Sequence, residues 1–199
     1  MIHRNDRTPV LLASTNQHKI KEFKAIFQNF GVCIEGLPPL SIDPPEENGM
    51  TFQENADLKA EYYSRFVEHP VLADDSGLCV TALSGEPGIF SARFSGEQAT
   101  DLSNNQTLLK RMEESSIRSR EGKFVCSLSL AERGVVIHRT TGEISGVILE
   151  ELKGEGGFGY DPLFFVPGSN KTFSEMTPWE KNSVSHRFEA CRKMAPFLQ

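Results

Sequence analysis

Two aspartates stand side by side at positions 74 and 75, directly after the apolar residues 71–73. The apolar run predicts a buried strand that ends at this pair, where a sheet opens into loops. Adjacent carboxylates repel each other unless a cation or a hydrogen-bond network compensates them. Mg²⁺ fits that role, because it binds one or two carboxylates together with waters and substrate phosphate oxygens. The alternative is that one Asp caps the following turn while its neighbour is solvated.

A second acidic stretch, PPEENG at residues 44–49, provides further carboxylates. Glu47 and Asp75, together with the phosphates of a nucleotide, would nearly complete a magnesium site. The sequence leaves open whether Glu46 shares this role with Glu47. The alternative is that both glutamates lie in an exposed loop.

The string ASTNQHK, residues 13–19, combines polar side chains with a lysine. It lies where a strand would turn into a helix, so its backbone N–H groups and the helix dipole would attract an anion. Ser14, Thr15 and Asn16 would add polar contacts, and Lys19 would add a full charge. The alternative is that the polar residues only cap the helix and that Lys19 is solvated.

Lys59 falls on the apolar line of a predicted helix. The line has helical spacing and consists of Phe52, Ala56, Lys59, Tyr63 and Phe66. An ammonium on such a line needs an anionic partner or a route to water, because an unpaired buried charge is very costly. A ligand phosphate could be that partner, or the side chain could reach water at the edge of the line.

Glycines and aromatic residues alternate in GEGGFGYDPLFF, residues 154–165. The glycines let the backbone approach a flat ligand, and Phe158 offers a stacking face for a base. Lys181, His186 and Arg187 follow in the string EKNSVSHR, around a predicted helix start. Together these strings indicate a base pocket. Each alone also fits an ordinary tight turn or a solvated helix end.

Strand and helix patterns alternate along the chain and must position these residues. Strands are predicted in PVLLAST, VLADD, KFVCSLSLA, GVVIHRT and GVIL. Helices are predicted in QHKIKEFKAIFQNFG, MTFQENADLKAEYYSRFVEH, TDLSNNQTLLKRMEES and SVSHRFEACRKMA. The first stops at Gly31, and the second opens with a capping box of Thr51 and Glu54. The last helix would carry one stripe of Val184, Phe188, Cys191 and Ala195. This order predicts an α/β protein with a central, mixed sheet.

Length and composition are those of one globular domain, with 199 residues, 38% hydrophobic and 24% charged. No apolar run approaches the roughly 20 residues that cross a bilayer, and the polar N-terminus lacks the apolar core of a signal peptide. Four scattered cysteines without a CxxC pair suit reduced thiols, so we expect a cytoplasmic protein. The net charge of -6 argues against a nucleic-acid-binding surface.

Five strings, in this order, resemble the inosine triphosphate pyrophosphatase (RdgB/ITPase) family of non-canonical purine NTP pyrophosphatases. They are S-x-N-x-x-K at Ser14, Asn16 and Lys19, then ADDSGL, PGIFSARFSG, GGFGYDPLF and KNSVSHR. The resemblance implies one elongated α/β catalytic domain in residues 9–199, with two lobes around a deep cleft, and an N-terminal extension in residues 1–8. It also implies a homodimer, Mg²⁺ as cofactor, and hydrolysis of ITP, dITP and XTP to the monophosphate and pyrophosphate. That reaction would keep these nucleotides out of DNA and RNA.

The resemblance further implies roles for single residues. Asp75 would be the general base and would bind Mg²⁺ together with Glu47, while Asp74 supports its geometry and Lys19 completes the catalytic set. Phe158 would stack on the purine, whose polar edge would meet Asp161, His186 and Arg187. The implied substrate-binding residues are Ser14, Thr15, Asn16, Gln17, His18, Lys19, Lys59, Ser76, Phe158, Gly159, Tyr160, Asp161, Lys181, His186 and Arg187.

Two other functions stay open at this level. One is a different metal-dependent enzyme, such as a septum-formation-type nucleotide pyrophosphatase, against which the base-pocket strings argue. The other is a nucleotide sensor without turnover, against which the intact carboxylates Asp74, Asp75 and Glu47 argue. A substrate panel scored for pyrophosphate release would separate the three.

Overall fold

The computed structural model describes residues 9–199, and the proposed extension at residues 1–8 lies outside the described residues. The strands are β1 (Val10–Ala13), β2 (Ile34–Gly36), β3 (Val71–Val80), β4 (Glu121–Glu132), β5 (Val135–Ile148), β6 (Phe164–Val166) and β7 (Lys171–Thr172). The helices are α1 (Gln17–Gln28), α2 (Phe52–Tyr63), α3 (Asp101–Glu114), α4 (Pro178–Val184) and α5 (His186–Met194).

The seven strands form one mixed sheet in the order β2-β1-β3-β4-β5-β6-β7. Strand β1 pairs in parallel with both β2 and β3, whereas β6 pairs antiparallel with both β5 and β7. The expected α/β class with a central mixed sheet is therefore confirmed.

The chain divides into two compact units. Of the described residues, the first comprises residues 9–75 together with residues 127–142 and 187–199, and the second comprises residues 76–126 and 143–186. Small and aliphatic side chains fill one buried cluster of the first unit, including Leu11, Ala60 and Val71. The core of the second combines aliphatic side chains with Phe124, Phe164 and Phe173, which are in mutual contact. The assignment of residues 9–199 to one domain, its elongated shape and the cleft stay predictions.

Helices α1 and α2, which carry predicted site residues of the first unit, begin at side-chain caps. Asn16 caps α1, and Thr51 with Glu54 forms the predicted capping box of α2. Helix α1 buries Phe23, Ile26 and Phe27, and the chain turns at Gly31 with a left-handed φ of 70°. Local side-chain chemistry thus fixes where each helix starts.

The prediction that a strand ends at the aspartate pair is wrong. Strand β3 continues through Asp74 and Asp75 to Val80. Its parallel neighbour β1 ends at Ala13, which pairs with Ala73, so both aspartates extend past the end of that neighbour. The carboxylates therefore stand beside the turn that leads from β1 into α1.

Two other boundaries also differ from the predictions. The strings GVVIHRT and GVIL belong to one long strand, β5. The predicted C-terminal helix is interrupted at Ser185, whose backbone is extended, so Val184 ends α4 and is 39% exposed instead of heading a buried stripe. Similarly, Phe66 lies beyond the end of α2 and is 48% exposed.

Candidate active site

The turn between β1 and α1 is held by its own polar side chains. The Asn16 side-chain oxygen accepts the backbone N–H groups of His18, at 2.9 Å, and Lys19, at 3.1 Å. Ser14 Oγ accepts the backbone N–H of Asn16. Asn16 thus caps the helix, and these two N–H groups already have an acceptor, while a ligand contact of Asn16 stays a prediction. Thr15, Asn16, Gln17 and His18 are exposed, which leaves their side chains accessible to a ligand.

Asp74 and Lys19 form a buried ion pair, so the alternative of a solvated Lys19 is wrong. The Lys19 ammonium lies 2.8 Å from Asp74 Oδ2, and the Asp74 side chain is 1% exposed. Burial alone would raise the pKa of Asp74, but the charges of Lys19, Lys59 and Arg187, with the hydrogen bond from Lys19, lower it below its ordinary value. Asp74 is therefore an ionised anchor for Lys19.

Asp75 has the opposite electrostatic character. Burial raises the pKa of its carboxyl above the ordinary value, and the charge of Asp74 acts in the same direction. Lys59, Lys19 and a hydrogen bond from Asn55 oppose this shift without cancelling it. Two adjacent carboxyls whose pKa values are pushed apart are typical of an acid–base site.

Lys59 joins the two acidic stretches. Its ammonium lies 2.7 Å from Glu47 Oε2 and 4.0 Å from Asp75 Oδ1, and its side chain is 13% exposed. Burial would lower the pKa of Lys59, but the charges of Asp74, Asp75 and Glu47 and the bond to Glu47 raise it. The chain thus supplies an anionic partner for this ammonium, and a phosphate contact stays a prediction.

The carboxylates of Glu47 and Asp75 could provide some, but not all, of the oxygen ligands of a Mg²⁺ ion. Both converge on one cationic group, the Lys59 ammonium. Within residues 9–199, no three His, Cys, Asp or Glu side chains are grouped so that they could hold a metal ion. Mg²⁺ tolerates such a set, because waters and substrate phosphates fill its other positions.

In the second unit, a tight loop presents Phe158. Gly157 and Gly159 have φ values of 76° and 61°, and a Cβ at Gly157 would lie 2.2 Å from Asp161 Oδ2. That same oxygen accepts the Phe158 backbone N–H at 2.9 Å. The glycines therefore allow the loop to close on Asp161.

Lys181 and Asp161 form a second buried ion pair beside this loop. Their separation is 2.5 Å, and both side chains are at most 5% exposed. The Lys181 ammonium also lies 4.6 Å from the centre of the Phe158 ring, which is a cation–π distance. His186 is buried in the same unit, stacked 4.8 Å from Phe124.

The Tyr160 side chain belongs to the core of the second unit. It is 4% exposed, and its hydroxyl donates to the Ser91 carbonyl at 2.9 Å. Burial, with the charge of Asp101, raises the pKa of this phenol. The ring and hydroxyl of Tyr160 thus belong to the core, and a substrate contact of Tyr160 stays a prediction.

Arg187 belongs to the first unit. Its Nη1 lies 2.9 Å from Glu22 Oε2, and its charge lowers the pKa of Asp74. This placement associates Arg187 with the carboxylate cluster, and its expected contact with the base stays a prediction. Ser76, directly after Asp75 in β3, is half-buried.

Three residues that hold these side chains were not predicted. Asn55 contacts Asp75, and α3 holds the Phe158 loop through Asp101 Oδ2, which accepts the Gly159 N–H, and Asn105, which donates to the Gly159 carbonyl. Asn55 could have been found, because it stands four residues before Lys59 on the same helix face. No local signal marks Asp101 or Asn105.

No helix in the described part of the chain is long and apolar enough to cross a membrane. The sequence profile of the Ham1 family matches residues 10–197. A dITP/XTP pyrophosphatase of Halalkalibacterium halodurans is 42% identical over 189 residues, which cover 94% of this chain and 97% of the relative. A dITP/XTP pyrophosphatase of Escherichia coli strain K12 is 43% identical over 195 residues, covering 96% and 98%.

The solved structure of a HAM1 protein from Coxiella burnetii superposes with a TM-score of 0.87 at 36% identity, covering 96% of this chain and 98% of that protein. The match of the family profile and both sequence relatives extends over nearly the whole chain. The resemblance inferred from the five strings is thereby confirmed, and the chain belongs to the Ham1 family.

Proposed function

We propose that this protein is a Mg²⁺-dependent pyrophosphatase that hydrolyses ITP, dITP and XTP to the monophosphate and pyrophosphate. The observation that carries the proposal is the geometry of the pair Asp74 and Asp75: Asp74 holds the Lys19 ammonium at 2.8 Å, and Asp75 faces the Lys59 ammonium that also contacts Glu47. The names of the dITP/XTP pyrophosphatases to which the chain is 42% and 43% identical support the substrate class.

Asp75 would act as general base on the water that attacks the α-phosphorus. The Asn55 amide holds one of its oxygens at 3.1 Å, and the other oxygen lies on the side of the Lys59 ammonium. Asp74 would hold Lys19 in place. Glu47 and Asp75 would bind Mg²⁺, which when bound lowers the pKa of coordinated water and neutralises phosphate charge.

Two ammonium groups would neutralise the triphosphate. Lys19 and Lys59 already face carboxylates, and phosphate oxygens are alternative acceptors for their remaining N–H donors. The exposed residues Thr15, Asn16, Gln17 and His18, with the half-buried Ser14 and Ser76, would add hydrogen bonds to the phosphate chain. Phosphoryl transfer depends mainly on such positioning and charge neutralisation.

The purine would stack on Phe158. The Lys181 ammonium lies 4.6 Å from the centre of the Phe158 ring, which places a donor beside this stacking ring. Lys181, His186 and Arg187 would donate hydrogen bonds to a 6-oxo group, whereas adenine presents an amino group there and leaves a donor unpaired. Such a mismatch discriminates against adenine nucleotides by several powers of ten. Gly159 and Asp161 would shape the loop that holds the ring.

The proposal includes a biological setting. Removal of ITP, dITP and XTP would prevent their incorporation into DNA and RNA. The enzyme would work in the cytoplasm as a homodimer, with no nucleic-acid or membrane partner.

A nucleotide panel tests the proposal. ITP, dITP, XTP, ATP, GTP and pyrimidine triphosphates are incubated with and without Mg²⁺, and pyrophosphate and orthophosphate are measured separately. We expect rapid pyrophosphate release from ITP, dITP and XTP only when Mg²⁺ is present. Stronger turnover of pyrimidine or adenine triphosphates would overturn the base assignment, and tight binding without turnover would favour a sensor.

A further inference from the structure

Asn55 lies in the first turn of α2 and is 2% exposed. A buried amide is costly unless both its donor and its acceptor are used. Both are used here, and their partners lie in two different segments of the chain. The amide therefore connects α2 to a strand and to a loop at once.

The donor half of the Asn55 amide holds Asp75. Its Nδ2 lies 3.1 Å from Asp75 Oδ2. The other carboxylate oxygen, Oδ1, is the one that lies 4.0 Å from the Lys59 ammonium. The amide thus orients the carboxylate and distinguishes its two oxygens.

The acceptor half holds the loop that carries Glu47. Asn55 Oδ1 accepts the Gly49 backbone N–H at 2.8 Å, and Glu54 accepts the next two N–H groups, of Met50 and Thr51. The approach at Gly49 is close, because a Cβ there would lie 2.7 Å from Asn55 Oδ1 and 2.8 Å from Glu54 Cβ. Position 49 therefore suits glycine.

We propose that Asn55 is a positioning residue that couples Asp75 to the Glu47 loop, so that both carboxylates are oriented before a metal binds. The inference rests on the proposed function, since Asp75 and Glu47 are its proposed base and metal ligands. The two halves of the amide are separable: the donor sets the orientation of Asp75, and the acceptor sets the position of Glu47.

Two variants separate the halves. Asn55→Asp keeps an oxygen for the Gly49 N–H but removes the donor to Asp75. Gly49→Ala keeps the donor but displaces the acceptor contact. Gly36→Ala is the matched control, because its Cβ would meet nothing within 4 Å and its φ is not left-handed. Asn55→Ala removes both halves.

We expect the variants to change kcat and the Mg²⁺ dependence of the rate separately. Asn55→Asp lowers kcat about 10- to 100-fold at saturating Mg²⁺, the range typical for loss of a group that orients a metal-site ligand. Gly49→Ala raises the Mg²⁺ concentration for half-maximal rate by a similar factor, with kcat within about twofold of the wild type. Asn55→Ala shows both effects, and Gly36→Ala shows neither. Equal loss in every variant, in parallel with melting temperature, would overturn the proposal.

Two measurements without catalysis accompany the kinetics. Amide hydrogen exchange of the metal-free protein reports the Gly49 N–H, which stays protected in Asn55→Asp and exchanges faster in Asn55→Ala. Electron paramagnetic resonance with Mn²⁺ alone reports metal binding, which Gly49→Ala weakens. If the wild type hydrolyses none of the nucleotides, the proposed function fails, while these two measurements still decide whether Asn55 holds the loop and the metal carboxylates. Unchanged Gly49 exchange in Asn55→Ala would overturn the inference.

Discussion

Replacing Asp75 by Asn is expected to lower activity and raise stability at once. The substitution keeps the size of the side chain and an oxygen that can accept the hydrogen bond from Asn55. It removes the proposed base and one carboxylate of the metal site. It also removes a charge that burial and the neighbouring Asp74 disfavour, as the raised pKa of Asp75 shows.

The two effects have separate magnitudes. Loss of a general base lowers the rate by about 10² to 10⁴, which corresponds to about 3–5 kcal/mol of activation free energy. For stability, a carboxyl whose pKa is higher in the folded protein than in the unfolded chain costs folding free energy when it is ionised. Each unit of that difference corresponds to about 1.4 kcal/mol. Each kcal/mol moves the melting temperature of a chain of this size by about 2–4 °C.

The sign of the stability effect depends on pH. Well above 3.8, the ordinary pKa, Asp75 is ionised in the unfolded chain, so the variant melts higher than the wild type. Below that pH the carboxyl is protonated in both states, and the two melting curves converge.

Melting curves in EDTA from pH 3 to 8, together with kcat for ITP at saturating Mg²⁺, measure both effects. Asp43→Asn is the matched control, because Asp43 is exposed and lies outside the site. A variant with more than about half of the wild-type kcat would show that Asp75 is not the base. A lower melting temperature at pH 7 would show that its charge stabilises the fold.

Three further substitutions test other parts of the site. Lys59→Met should weaken binding of a non-hydrolysable ITP analogue in calorimetry. It should also lower the melting temperature at neutral pH, because Glu47 and Asp75 lose their ammonium partner. A higher melting temperature would show that Lys59 strains the free protein. Tyr160→Phe should cost about 1 kcal/mol of stability with an unchanged KM for ITP, since only the bond to the Ser91 carbonyl is lost; a raised KM would place the hydroxyl at the substrate. Asp101→Ala should raise KM for ITP more than it lowers kcat, because the Gly159 N–H loses its acceptor; unchanged kinetics would show that the loop needs no support from α3.

Local patterns predicted the elements whose ends are set by local chemistry. The caps at Asn16 and Thr51 and the apolar spacing of α1 and α2 are properties of neighbouring residues, so the sequence reveals them. The break at Ser185, where the backbone is extended, and the continuation of β3 past Asp75 were not predicted. The short strands β2, β6 and β7, of two or three residues each, are too brief to show a period.

The same distinction applies to the site. The acidic pair and Lys19 were predicted to be site residues. The ion pair between Lys19 and Asp74 joins residues 55 positions apart, so only the structure reveals it. Tyr160 carries an aromatic ring in a glycine-rich string, and the string does not tell whether that ring faces a ligand or the core. The helical spacing of Asn55 to Lys59 marks its helix face, but its two partners, the Gly49 N–H and the Asp75 carboxylate, needed the structure.

Hydrolysis of ITP in ¹⁸O-labelled water tests the central claim most directly, with products identified by ³¹P NMR and mass spectrometry. Attack of water on the α-phosphorus predicts one ¹⁸O atom in the inosine monophosphate and none in the pyrophosphate. Orthophosphate as the first product, or label in the pyrophosphate, would contradict the account.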